Sequence, residues 1–290
     1  MKVLDAVYDL KSAPVTFDYG TFLTICECYR QVTQHDTLSV KIQADGFRGV
    51  TQRDVETSPQ EKNWRIRGIL LEVNELLPTL MTCTVDRSPS AAHETPYLAK
   101  AVGELFKQGA KPRVLTAPGY ARSIVPECDV TLTLRTSNHF PQRNVDMREW
   151  HDFYDHLTER GFRVVVVPDQ EDLLGGQRYK TFDWNVYEPA AMDLRLRMAL
   201  YEQASLNVCS ANGPPAMMFY SDAPYLMFDN LRGDVFTEGQ WCNMLGIEPG
   251  GQCPWGTINQ HIAWSDSNLD TLIEKFNETY RHPGWHEFEA

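Results

Sequence analysis

Apolar runs alternate with helical periodicities along the whole chain. Val3 to Asp9 reads as a strand, and Leu38, Val40 and Ile42 alternate as a second. Arg163 to Val167 is a continuous apolar run, the pattern of a strand buried on both faces of a parallel sheet. Further strands are expected at Thr82–Val85, Arg113–Thr116, Asp129–Leu134, Leu206–Cys209 and Tyr225–Phe228. Helical patterns fall between them, from about Thr21 to Val32, Trp64 to Leu77, Pro96 to Gln108 and Pro189 to Ala204. A short helix is expected over Pro214–Tyr220 and a terminal one over Leu269–Tyr280. Trp150, Phe153, Tyr154 and Leu157 mark one helical face, which Gly161 ends. Residues 43–63 are polar and irregular, a loop of the length that usually carries function.

Strand, crossover helix, strand, repeated on both sides of one break, predicts an α/β protein with mostly parallel sheets. The break is Ala117-Pro118-Gly119-Tyr120, with Pro126 close behind. It divides the chain into residues 1–120 and 121–290. Two such halves pair most simply as two Rossmann-like domains facing across a cleft. Ligands in these sheets bind beyond the carboxyl ends of the strands, so the informative residues should follow strands directly.

Composition narrows the class. The chain has 290 residues and a formal charge of −12, a surface that repels phosphate backbones and argues against nucleic acid as a partner. Its seven cysteines are an odd number without CxxC spacing, as in a reducing compartment without structural disulfides. The N-terminus lacks the apolar core of a signal peptide, and no stretch approaches the ~20 apolar residues of a membrane span. The expected location is cytoplasmic. GxGxxG, Walker A, HExxH and GxSxG motifs are absent, which weakens dehydrogenase, kinase, metalloprotease and hydrolase readings.

Three loops carry candidate chemistry. After Leu134, the run Arg135-Thr136-Ser137-Asn138-His139-Phe140-Pro141-Gln142-Arg143-Asn144 leads into a helix near Val145. Two arginine forks and a helix end suit phosphate oxygens. The same residues also fit a simpler role, with Asn144 capping the helix and the arginines paired to surface acids. After Cys209, Ser210-Ala211-Asn212-Gly213-Pro214-Pro215 opens a helix. There Gly213 would let a ligand approach the backbone and the amides beyond Pro214 would take an anion, unless this is an ordinary βα turn. After Val167 stand Asp169, Glu171 and Asp172, and Asp169 is placed to accept from ribose hydroxyls or a base, if it is not simply solvated. In the first half, Asp18 on the loop after the first strand is a candidate general base or a cap of its own helix, and His139 is a second candidate base. Trp241, Trp255, Trp264 and Trp285 either stack on a ligand or pack one half onto the other. No set of residues has metal-ligand spacing.

The second half resembles the nucleotide-sugar half of GT-B glycosyltransferases, closest to the heptosyltransferase-like branch. The resemblance rests on Asn212-Gly213-Pro214-Pro215-Ala216-Met217-Met218, followed by Ala223-Pro224-Tyr225-Leu226-Met227-Phe228, and on the loop from Thr133 to Asn144. It covers about residues 129–264, with the first half alike in rhythm and in Asp9-Leu10-Lys11-Ser12-Ala13-Pro14-Val15-Thr16-Phe17-Asp18. Where that branch carries an acid or Ser before Gly-Pro and a His after it, this chain has Asn212 and Ala216-Met217. The resemblance implies a GT-B-like fold and transfer of a sugar from a nucleotide-diphosphate donor to a hydroxyl of a glycan or lipid-linked acceptor, without a cofactor or metal. Arg135, Arg143, Asn144, Asp169, Asn212, Gly213 and Pro214 would hold the donor, and Asp18 or His139 would act as base. Two other readings fit the same architecture: a nucleotide-sugar epimerase, and a catalytically silent nucleotide-sugar-binding or scaffold protein.

Overall fold

A computed structural model describes residues 1–49, 58–138, 141–229 and 238–280 of the chain. Two separate, wholly parallel sheets organise it. The first has the order β1-β2-β3, made of Val3–Asp9, Thr37–Gln43 and Leu80–Asp86. The second has the order β5-β4-β6-β7-β8, made of Val164–Val167, Val130–Thr133, Leu206–Ser210, Tyr225–Phe228 and Gln260–Ile262. The order reverses between β4 and β6, so the loops after those strands flank a topological switch point.

The second sheet is covered on both sides, as the unbroken valines predict. Val164 and Val166 face the core formed by Trp150, Phe153 and Phe276, which come from α6 (Met147–Glu159) and α10 (Leu269–Tyr280). Val165 and Val167 face the opposite core, which runs on into the first half. The first sheet has a single buried face. Leu38, Val40 and Ile42 are buried while Thr37, Ser39 and Lys41, which alternate with them, are half exposed, and Met81 of β3 lies open.

Helix α1 (Asp18–Val32) fills the space between the halves, with Tyr19 to Cys28 buried without interruption. It packs on α4 (Ala99–Lys107), on β1 and β2, and on the 3-10 turn Pro214–Tyr220 of the second half. A buried bond of 3.0 Å links Thr21 Oγ1 and Tyr220 Oη across that contact. All seven cysteines are free thiols.

Several expectations are corrected. Arg113–Thr116 is not a strand, because the amides of Val114 and Leu115 both donate to Tyr220 O at 2.8 Å and Thr116 N donates to Leu76 O. That segment therefore straps one half to the other. The helix expected from Trp64 begins at Pro59, where the Ser58 hydroxyl accepts from Glu61 N at 3.1 Å. This cap-and-acid spacing was missed in the polar stretch. The helix α2 (Pro59–Arg65) then widens into a π turn, Ile66–Leu71, before α3 (Glu72–Asn74). The single helix expected from Pro189 to Ala204 is two, α7 (Pro189–Met192) and α8 (Leu194–Gln203), because Asp193 caps α8 through bonds from Arg195 N and Leu196 N. Strand β8 and helix α9 (Glu238–Leu245) were not foreseen. The break after Ala117 holds a short helix, α5 (Gly119–Arg122), docked on α8 by an Arg122–Glu202 ion pair of 2.7 Å.

Phe153 is fully buried against Phe276, with ring centroids 5.7 Å apart, whereas Met81 is 46% exposed. Chemical denaturation should show Phe153→Ala losing about 3–5 kcal/mol. Met81→Ala should stay within about 0.5 kcal/mol of the parent.

Candidate active site

A cavity of about 730 Å³ opens between the two sheets, at the carboxyl ends of their strands. From the second half it takes Arg135, Arg143, Asp169, Asn212, Gly213 and Pro214, and from the first half Asp18. The residues singled out in the sequence therefore converge on one space, as the shared strand edge requires. Asn144 stands just behind it, and His139 lies outside the described residues.

The arginine loop is held from both sides. Asn144 does not cap a helix: its Oδ1 accepts from Arg135 Nη1 at 2.6 Å and its Nδ2 donates to Ser137 O at 2.8 Å. The cap of α6 is Asp146, which accepts from Arg148 N and Glu149 N. Arg135 is 5% exposed, and Arg143 Nη2 donates to Ala211 O at 2.7 Å, the residue that follows β6. Burial, and then repulsion from Arg135, push the Arg143 guanidinium down to about 10. It still carries its charge at neutral pH. Carboxylates temper this charge, Asp169 and Glu171 beside Arg135 and Asp229 beside Arg143.

The acidic loop after β5 clasps this wall. Asp169 accepts from Thr136 N at 3.3 Å and Glu171 N at 3.0 Å, and burial raises its carboxyl above the usual range. Glu171 accepts from Asn138 N at 2.6 Å and from Ser137 Oγ at 3.1 Å. Buried Asp172 accepts from Arg178 Nε at 2.8 Å, and the same arginine reaches Thr136 O.

The turn after β6 differs from expectation in one respect. Pro214 and Pro215 carry no N–H, and Ala216 N is spent on Gly213 O at 3.1 Å. The segment is a seven-residue 3-10 helix rather than an α-helix. The amides just beyond Pro214 therefore cannot form the anion cradle expected of them, and positive charge here comes from arginine side chains. Asn212 lines the cavity with its Oδ1 buried and without a hydrogen-bond partner among the described residues. Gly213 meets protein rather than open space. A Cβ placed there would stand 2.2 Å from Phe17 Cδ2.

Across the cavity, Asp18 is the first residue of α1. Its carboxylate accepts from Thr16 Oγ1 at 2.7 Å, and it makes no cap bond to its helix. Burial raises its carboxyl above the usual range, opposed in part by that hydrogen bond and the Arg48 charge. Phe17, Trp64, Tyr97, Arg197 and Tyr220 also line the space and were not singled out in the sequence. Arg197 left a readable signal, standing at i+3 from Leu194 and just before Met198 on an otherwise apolar face. Trp255 stacks on Tyr220 at 6.1 Å and donates to Phe219 O at 2.6 Å, so it packs the interior. Trp264 likewise bonds Gly251 O, Trp285 lies outside the described residues, and the Trp241 side chain does too. Among the described residues no three His, Cys, Asp or Glu side chains gather to hold a metal ion, and no helix is long and apolar enough to cross a membrane.

The Gly213–Phe17 contact yields a direct test. Gly213→Ala should cost about 1–3 kcal/mol through overpacking against the ring. In the Phe17→Ala background the same change should cost far less, and denaturant melts of the four chains in that cycle measure the difference.

No family model matches the chain, and no curated protein does. Solved structures do. The E. coli heptosyltransferase WaaC with ADP superposes with a TM-score of 0.50 at 12% identity, covering 95% of this chain and 99% of that one. A glycosyl transferase of family 9 from Veillonella parvula gives 0.49 at 11% identity, over 98% and 91% of the two chains. E. coli ADP-heptose lps heptosyltransferase II gives 0.48 at 10% identity, over 96% and 98%. The chain is similar to WaaC in fold over nearly its whole length, and two parallel α/β layers facing across a cleft are the GT-B-like arrangement.

Proposed function

We propose that this chain is a glycosyltransferase that moves a sugar from a nucleotide-diphosphate donor to a hydroxyl of a glycan or lipid-linked acceptor, in surface glycan synthesis. One observation carries the reading. Two arginine side chains, Arg135 and Arg143, line a cavity that also takes in the carboxylate of Asp18 from the other half. Residues 1–120 are the acceptor side and residues 121–290 the donor side, a division supported by the two separate sheets. The fold shared with WaaC fits that reading.

In this mechanism the donor diphosphate lies against Arg135 and Arg143, with Asn144 fixing the first guanidinium. Asp169 and the Asn212 Oδ1 accept from the nucleoside, and Gly213 and Pro214 shape the wall beside Phe17. The acceptor hydroxyl stands at Asp18, which takes its proton as the oxygen bonds the anomeric carbon. The bond from that carbon to the diphosphate breaks, and the arginines stabilise the charge that develops there. That assignment gives the charge work to side chains and needs no resident metal or cofactor. Burial suits Asp18 to its part, because a raised carboxyl is a stronger base once ionised.

Two outcomes test the proposal. Arg143→Ala should weaken nucleoside-diphosphate binding at least about tenfold in calorimetric titration, the loss of a charge-assisted bond. Arg135→Ala should behave alike, with circular dichroism showing folded protein in both; unchanged affinity in both would move the weight to a scaffold. Asp18→Asn should slow transfer by about 100- to 10,000-fold with donor affinity retained. The base works only when ionised, so the parent rate should fall as pH drops through the raised Asp18 value, above the ordinary carboxylate range of about 4. A pH–rate profile of Asp18→Asn should lack that limb.

A further inference from the structure

Arg197 lines the cavity beside Arg65, Arg135 and Arg143, and its surroundings set it apart from the other arginines of its region. It lies on the buried face of α8 with Leu194, Met198 and Tyr201, and is 3% exposed. Its Nε donates to Ala190 O at 2.6 Å. The Tyr201 phenol, bonded to Thr133 Oγ1 at 2.9 Å, lies against it. Asp169 feels its charge, yet no carboxylate of the described residues forms an ion pair with it. The more exposed arginines nearby are all paired: Arg195 with Asp193 at 2.6 Å, Arg122 with Glu202 at 2.7 Å and Arg178 with Asp172 at 2.8 Å.

That distribution is the reverse of what stability alone would favour. A guanidinium carries five N–H donors in one plane, and burying it without an anion is unfavourable. A buried cation that lines a cavity and has no ion pair among the described residues is arranged for an anion that enters the cavity. Arg197, Arg135 and Asp169 all line the same cavity.

We infer that Arg197 is a substrate-binding residue that takes an oxyanion of the donor, its pyrophosphate or an acidic group on its sugar. The inference rests on the nucleotide-sugar reading given above. Bidentate contact of the fork with a phosphate or carboxylate would complete the guanidinium's hydrogen bonds while Ala190 O keeps it in place.

Titration calorimetry of the full chain with inorganic pyrophosphate, UDP-glucose and UDP-glucuronate tests it. Arg197→Met should lose at least about tenfold in affinity for pyrophosphate, which assigns the donor phosphates, or for UDP-glucuronate alone, which assigns an acidic sugar. Arg197→Lys, which keeps the charge without the fork, should recover part of the loss. Binding of all three probes within twofold of the parent by folded Arg197→Met overturns the inference. If that variant does not fold, Arg197→Gln, which keeps a donor for Ala190 O and removes the charge, is judged by the same twofold limit. Failure of the parent itself to bind any of the three defeats the nucleotide-sugar reading instead.

Discussion

Helix α1 is buried on all sides over ten consecutive residues, Tyr19 to Cys28, and the architecture depends on that. Such a stretch is stable only when packed all round, with its polar side chains Thr21, Thr24 and Glu27 hydrogen-bonded inside. Its partners come from both halves: β1, β2, α3 and α4 on one side and the 3-10 turn after β6 on the other. Gly20 marks how closely they fit, since a Cβ there would already touch Met217, Val73 and Leu115 within 3.6–3.8 Å. Even its buried Glu27 is satisfied, by Arg30 and Thr79 at 2.7 Å. Separating the halves would expose this helix, and each large side chain uncovered would cost about 1.5–3 kcal/mol. The two sheets are thus joined through a shared core, and the cavity inherits its shape from that core.

The sequence made the second half legible because its strands are buried twice over. Unbroken valines and a clean i, i+3, i+4, i+7 face leave few alternatives, and β4 to β7, α6 and α10 lie close to where periodicity put them. The first half was harder. Arg113–Thr116 has the composition of a strand, but the amides of Val114 and Leu115 are claimed by one carbonyl, that of Tyr220, far away in sequence. Nothing local announces such a bond. Strand β8 is polar in composition because Gln260, though buried, turns its amide to the carbonyls of Met218, Ser221 and Ala223.

The cavity shows the same division. Arg135, Arg143, Asp169 and Asn212 were found because loops after parallel strands share an edge. Their functions in the framework were not legible. Asn144 had the look of a cap and instead braces an arginine, and two prolines in a row removed the amides that a helix opening would usually offer. Gly213 suggested room for a ligand, whereas the space above it is taken by Phe17 of the other half. In each case the residue's partner lay beyond the reach of spacing arguments.

The π turn at Ile66–Leu71 has a consequence for how this chain can change length. Such a turn is a helix carrying one residue more than its α-helical register needs. It lines the cavity through Gly68 and Ile69, and directly after it Glu72 accepts from Leu194 N at 2.9 Å, tying the first half to the start of α8. An α-helix advances about 100° per residue. Deleting one residue here would restore ordinary winding and rotate one side of the helix against the other by about that angle. Glu72 would leave Leu194, or Ile69 would leave the cavity wall. The chain therefore tolerates gaps on its open loops far better than in this one stretch, where the count of residues is itself part of the architecture.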